Sequence, residues 1–196
     1  MSEHNLIKVA IQHFVKFGYE GTKLSHIAQE VGMKKQSLYF HFKNKDDLLL
    51  RANKAAVEGE IDFLQSFFSG NKDLSLKDTL YFLLLEYKGR YLDNENNGFM
   101  FLLTFTPPDL LKNYFAQNYH LFLTHFKKCL QPKFLEEPNL RINPDEGPTS
   151  FITALDGLFT QLIFETPKDF DCSLRIFWDI YWHGLIKIKS QQEEDD

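Results

Sequence analysis

Residues 34–42 read Lys-Lys-Gln-Ser-Leu-Tyr-Phe-His-Phe, and their types suit recognition better than bond making. Lys34, Lys35, Gln36 and Ser37 are cationic or can hydrogen-bond, and none is bulky and apolar. Leu38 and Phe42 stand four apart, so on a helix both can point inward as anchors. Tyr39 and His41 then fall on other faces, where an O–H or N–H can donate to a phosphate oxygen. Such a segment offers donors to base edges and phosphates from one side and holds to a protein core by the other. Chemistry of the bond-breaking kind has no comparable pattern. There is no Gly-x-Ser-x-Gly, no His-Glu-x-x-His, no phosphate-cradling glycine loop and no tight acid pair. His125 and Cys129 are four apart and could clasp a metal, but no third or fourth ligand is identifiable. Cys129 and Cys172 form no CxxC pair and carry no sign of a lowered pKa that would mark a redox sensor. An enzyme is not expected, and neither a metal nor a cofactor.

A helix this short buries little, so neighbours must hold it. Ile7, Ala10, Ile11 and Phe14 recur at helical spacing over 5–17, and Gly18 and Gly21 then interrupt the chain. Leu24, Ile27, Ala28 and Val31 give a second, short stripe. Thr22 or Ser25 could cap its start, and Gly32 can end it as a left-handed residue. The 34–42 segment is the third helix. After it, Lys-Asn-Lys-Asp-Asp turns into a fourth, where Asp46 and Asp47 favour the first turn through the helix dipole; it is expected to run to about residue 68. Three helices with a glycine turn before the last is the plan of a helix-turn-helix, whose second helix of the pair lies in the major groove.

Charge agrees. The chain's formal charge is −5, which alone argues against a nucleic-acid binder. Residues 1–54, however, hold nine Lys and Arg against five Asp and Glu, a net of +4, while the remainder is −9. A basic head on an acidic body is expected when only one end meets DNA. The 43% hydrophobic content suits a folded chain. Two cysteines without a framework fit a reducing cytosol. The N-terminal segment mixes charge into its apolar residues, unlike a signal peptide, and no stretch has the roughly 18 apolar residues of a membrane span. A cytoplasmic location with no membrane partner is therefore expected.

The rest of the chain reads as helix after helix. Leu76, Leu80, Leu83, Leu84, Tyr87 and Tyr91 mark one over 75–92. Residues 99–105 begin another, stopped by Pro107 and Pro108. A long amphipathic segment covers 109–130, and residues 131–148, with four prolines, are expected to be an exposed connection. Two closing helices, about 149–165 and 170–189, are split at Thr166-Pro167. No β alternation is evident, so the expected fold class is all-α.

The head resembles the DNA-binding domain of the tetracycline-repressor (TetR) family. The resemblance rests on Phe14, Gly18-Tyr19, Thr22, Ile27-Ala28, Gly32-Met33, Leu38-Tyr39, Phe40, His41-Phe42, Lys45 and Leu48, spread over about residues 5–50. It implies an all-α protein with a three-helix helix-turn-helix DNA-binding domain at 1–46. A helical regulatory and dimerisation domain would follow at 47–190, then an acidic, disordered tail at 191–196. By the same resemblance Lys35, Gln36 and Ser37 would face base edges, and Tyr39, His41 and Lys45 would hold phosphates. Lys23 and Ser25 would approach the backbone. Three positions depart from the common pattern: Lys23 replaces a frequent Thr, Lys34 stands where Ser or Thr often caps the helix, and Gln36 where a small residue or Pro is common. Two lysines at a helix start oppose the dipole, which implies that Lys34 and Lys35 are held there for DNA.

The expected function is therefore repression from double-stranded operator DNA by a homodimer on a pseudo-palindrome. The dimer interface would use Leu155, Leu158, Phe159 and Leu162 on one closing helix and Leu174, Phe177, Trp178, Tyr181 and Leu185 on the other; the same stripes could instead face the protomer's own core. The resemblance also implies a pocket for a small-molecule effector, apolar or aromatic given how few charges fall within the stripes. Tyr87, Tyr91, Tyr114, Tyr119 and His120 are its candidates, with Phe101 and Phe105 as wall. The alternative is the same head governed by a protein partner, with 131–148 and the tail as its docking points. An enzyme with an accessory DNA-binding head is a remote third.

Overall fold

Helix α1 spans Glu3–Gly21 and starts where the Ser2 side chain accepts from the Asn5 N–H. Its inward face is Leu6, Ala10, Ile11, His13 and Phe14. At Gly18 the backbone turns to φ 67°, ψ 179°, a conformation closed to side chains with a Cβ, and the helix kinks. The Thr22 hydroxyl donates to the Gly18 carbonyl at 2.7 Å and lies 3.1 Å from the His13 carbonyl. The sequence suggested Thr22 or Ser25 as the cap of the next helix; the N-cap is instead Lys23, which makes no side-chain cap bond, and the Thr22 hydroxyl is turned back to α1. Helix α2, Leu24–Glu30, buries Leu24, Ile27 and Ala28. It closes in a Schellman motif: Gly32 takes φ 69°, its N–H donates to the Gln29 carbonyl, and the Met33 N–H donates to the Ala28 carbonyl at 2.8 Å. Helix α3 is Lys35–Leu38, and backbone bonds from Phe40, His41 and Phe42 carry its curl onward as a turn.

The computed structural model describes residues 2–93, 98–100, 103, 106–164 and 166–187. Helix α4 is Lys45–Gly70 and α5 is Leu76–Asp93. A 3-10 turn at Asp109–Leu111 leads into α6, Lys112–Glu136, and the chain closes with α7, Gly147–Phe164, and α8, Pro167–Leu185. Among the described residues there is no strand, only an isolated antiparallel bridge between Leu140 and Ile186. The fold is all-α, as expected. The acidic tail, 191–196, lies outside the described residues.

Packing divides the chain into two units: Met1–Phe67 with Gly89–His125, and Phe68–Lys88 with Phe126–Asp196. In the first, α4 presents Leu48, Leu49, Ala52, Ala56, Val57, Ile61 and Leu64 at helical spacing to its core. Two polar side chains on the same helix are buried with partners. Asn53 accepts from the Asn118 amide at 2.7 Å, and Glu60 pairs with Arg90 at 2.5 Å. Burial pushes the Glu60 carboxyl up, against the pull of Arg90. The Arg90 guanidinium also covers the Phe63 ring, 3.9 Å from its centroid.

The second unit corrects the expectation for 131–148. Helix α6 continues through Pro132 to Glu136 instead of ending before it. A proline inside a helix costs roughly 3 kcal/mol. Here Leu130 and Phe134 are fully buried on either side of it, and Lys133 donates to the carbonyls of Lys72 (2.5 Å) and Leu74 (2.7 Å), which together hold the last turns in place. Leu140 is buried too, and the Arg141 N–H donates to the Leu185 carbonyl at 2.8 Å. Far from an exposed connection, the segment is partly core. Gly147 opens α7 flat against Phe134: a Cβ there would stand 2.1 Å from the ring.

Candidate nucleic-acid interface

Four ties set the outer face of α3. His13 on α1 and Glu30 on α2 meet at 2.7 Å. Tyr19, beyond the Gly18 kink, donates its hydroxyl to Asp46 at the start of α4. Burial, followed by that bond, pushes the Tyr19 hydroxyl up to about 12. Lys45 donates to the Tyr19 carbonyl at 2.7 Å and sits over its ring at 4.1 Å. Arg51 bonds Glu3 (2.9 Å) and Asp47 (3.1 Å), joining both ends of the head. Asp47 in turn accepts from the Lys43 N–H, the chief cause of its lowered pKa, while its own N–H donates to Asn44. The loop before α4 is thus clamped at both sides of Asn44.

On this frame Leu38 and Phe42 are buried, 0% and 1% exposed, and point the remaining side chains of the segment away from the core. Lys34, Lys35, Gln36 and Tyr39 are exposed, Ser37 and His41 half-buried. The Lys35 ammonium lies 5.9 Å from the Tyr39 ring centroid. Lys23 and Ser25, at the start of α2, are exposed as well. Lys45 differs, since its ammonium is engaged with Tyr19 inside the head. α3 begins at Lys34 without a side-chain cap bond. The structure thus gathers cations and hydrogen-bonding side chains on one short helix and its flank, without an acidic residue between 31 and 45. The pattern of residues gave Phe40 no role, yet it is 89% exposed. Its place midway between the anchors Leu38 and Phe42 was the available signal.

Among the described residues the pocket candidates fall in both packing units. Tyr87 is buried in the second unit against Phe126 and Phe159. In the first unit, Tyr119 borders a cavity of about 10 Å³ with Asn53, Val57, Met100, Leu103 and Phe115, and Tyr114 donates to the Leu50 carbonyl. Tyr91 is half-buried, and burial raises its hydroxyl. His120 lies instead on the solvent-facing side of α6, with Ala116, Gln117, Leu121 and Thr124. Phe101 and Phe105 lie outside the described residues. Among the described residues no three His, Cys, Asp or Glu side chains come together as metal ligands, and burial pushes the Cys129 thiol up.

The stripe assigned to a dimer interface faces inward on α7: Leu155, Leu158, Phe159 and Leu162 are all buried within the single chain. On α8, Leu174 and Leu185 are buried as well. Phe177, Trp178 and Tyr181 are half-buried, with Tyr181 bonded to Ser150 at 2.9 Å and Trp178 against Tyr81. The buried residues of both helices serve the protomer's own core, and the large apolar side chains exposed on α8 are Ile176 and Ile180.

Comparison with known proteins agrees with this geometry. The family model of bacterial regulatory proteins of the tetR family matches residues 6–52. The biofilm operon icaADBC HTH-type negative transcriptional regulator IcaR of Staphylococcus aureus is 27% identical over 166 residues, 81% of this chain and 83% of that protein. Its Staphylococcus epidermidis counterpart is 34% identical over 82 residues, 42% of this chain and 43% of that one. The same fold recurs in the transcriptional regulator FadR of Bacillus subtilis, solved with stearoyl-CoA (TM-score 0.72, 15% identity, 93% of this chain and 99% of that one). It recurs again in a transcriptional regulator of Saccharomonospora viridis, solved with choline (TM-score 0.73, 17% identity, 94% and 97%). No helix among the described residues is long and apolar enough to cross a membrane. The head thus matches the family model of bacterial regulatory proteins of the tetR family over residues 6–52, and the all-helical chain as a whole shares its fold with these regulators.

Proposed function

We propose that the chain is a repressor that binds an inverted-repeat operator as a homodimer and leaves it when a small apolar or aromatic molecule binds the helical body. The observation that carries the reading is the outer face of α3: Lys34, Lys35, Gln36 and Tyr39 exposed together, over the buried anchors Leu38 and Phe42. Lys35, Gln36 and Ser37 address base edges, while Lys34, Tyr39, His41, Lys23 and Ser25 address phosphates. Lys45, bound to the Tyr19 carbonyl, steadies the head beside them. Residues 1–46 read DNA and 47–190 regulate and dimerise, in the cytoplasm where the operator is. The negative regulation named for IcaR supports the sign.

Dimerisation is assigned to the outward sides of α7 and α8, with Ile176 and Ile180, 50% and 68% exposed, as the apolar part of the interface. Phe177, Trp178 and Tyr181 border it. For the effector, the exposed side of α6 around His120 and Leu121 is the place assigned, since the cavity at Tyr119 holds about one water. The ligand would act through unequal affinity for two spacings of the paired recognition helices. The stearoyl-CoA and choline of the two structural relatives support a body of this fold as a ligand holder.

The test is selection of bound duplexes from a random DNA pool, with the winner's affinity followed against salt. An inverted repeat and a steep salt slope are expected. No enriched sequence would overturn the operator reading and favour control through a protein partner.

A further inference from the structure

We propose that Phe40 reads DNA directly, and that with Gln36 it selects an A·T base pair, its ring lying against the thymine methyl. The inference rests on the operator-binding reading above and sharpens it to a base.

Phe40 is 89% exposed, more than any other aromatic side chain among the described residues. A single apolar residue in water needs no explanation by itself. Its position supplies one. The backbone keeps a helical curl past Leu38, through bonds from Phe40 to Ser37 (3.3 Å), His41 to Leu38 (3.0 Å) and Phe42 to Leu38 (3.0 Å). Leu38 and Phe42 define the inner side by burial. Gln36 and Phe40 are each two residues from an anchor and four from each other, so they share the line that points straight out. The cations, by contrast, stand to the flanks of that line, at Lys34 and Lys35.

Chemistry then narrows what the line can meet. Phe40 has no donor and no charge, so it gains nothing from a phosphate. In the major groove the apolar feature open to it is the C5-methyl of thymine. Gln36, beside it, matches the N6 and N7 atoms of adenine with its amide. Side chains four apart on a helix are about 6 Å apart, and successive base pairs about 3.4 Å. The two side chains therefore reach the same or adjoining pairs, and each favours A·T in its own way. A tyrosine at position 40 would add a hydroxyl able to bond a phosphate; phenylalanine gives that up and keeps only the apolar contact.

The experiment replaces each thymine of the selected operator half-site, in turn, by deoxyuridine, which removes the methyl and leaves base pairing intact. Wild-type protein and Phe40→Ala are titrated against the series, after thermal melts confirm that the exposed substitution leaves the fold unchanged. One or two positions should cost the wild type about fourfold in affinity, the effect of one apolar carbon group. The same positions should cost Phe40→Ala nothing, and Phe40→Ala should bind the unmodified operator more weakly by at least that factor. Equal losses in both proteins, or none in either, overturn the assignment while leaving operator binding intact. If wild type binds no duplex with a steep salt slope, the operator reading falls and takes this inference with it.

Discussion

Helices α3 and α8 start in opposite ways. α8 spans 19 residues and opens with a complete capping box: the Thr166 hydroxyl accepts from the Asp169 N–H, the Asp169 carboxylate accepts from the Thr166 N–H, and Pro167 holds the first turn. It buries Phe170, Leu174 and Leu185. α3 has four residues and one buried side chain, Leu38, and its N-cap is a lysine that caps nothing. One helix closes its own hydrogen bonds; the other leaves N–H groups open and puts cations where the dipole is already positive. Such a start gains from an anion that the free chain does not contain. Changes in α8 should therefore register as stability, and changes in α3 as affinity.

The largest effect expected from breaking this contrast is at Phe170. It is fully buried against Phe159, and Phe170→Ala should lower unfolding free energy by about 3–5 kcal/mol. Chemical denaturation would read the loss; a midpoint shift under a third of that would mean the α7–α8 pair carries less of the core than its burial implies. Gln36→Ala comes next and belongs to the other side of the contrast. Operator affinity should fall by roughly 1–3 kcal/mol with discrimination relaxed at one base pair, and the melting curve should not move. A shifted melt with unchanged affinity would exchange the roles of the two helices. Thr166→Ala should cost about 1 kcal/mol of stability and leave the salt slope of operator binding alone.

Lys34→Ser sharpens the contrast most directly. Restoring a cap to α3 should add up to about 1 kcal/mol of stability and flatten the log–log salt dependence by roughly 0.9. A salt slope identical to wild type would make Lys34 a bystander. Smallest is a pH effect at α8. The Thr166 hydroxyl, then its N–H, hold the Asp169 carboxyl below its ordinary 3.8. The charged form is thus favoured in the fold: its contribution is complete above the ordinary value and fades as pH falls through the lower, folded one. Asp169→Asn should remove that part of the acid limb of stability, readable by melts at a series of low pH values.

What was legible in the sequence was whatever a few adjacent residues decide. Gly32 ends α2 because one position needs a positive φ, and a glycine supplies it. Leu38 and Phe42 anchor because spacing alone places them on one side. The split at Thr166-Pro167 follows from cap chemistry visible in the sequence. Illegible were arrangements in which distant residues compete for the same group. Thr22 is a good cap by type, but the Gly18 carbonyl claims its hydroxyl. Nor does the pattern show that Lys45 donates to the carbonyl of Tyr19, 26 residues away. Pro132 reads as a stop until Lys133 finds two carbonyls near residues 72–74. The inward use of Leu155, Leu158, Phe159 and Leu162 was undecidable for a related reason, since an apolar stripe does not say whose core it completes.

Gly147 and Phe134 carry a consequence for how this chain can change over generations. The ring occupies the space that any side chain at 147 would need, since a Cβ there would stand 2.1 Å from the nearest ring atom. Position 147 therefore cannot drift alone: a methyl there becomes tolerable only once 134 has lost its ring, and a ring regained at 134 fixes glycine again. Descendants of this sequence should inherit the two positions as a pair, and a lineage that acquires Gly147→Ala should have passed first through a smaller residue at 134.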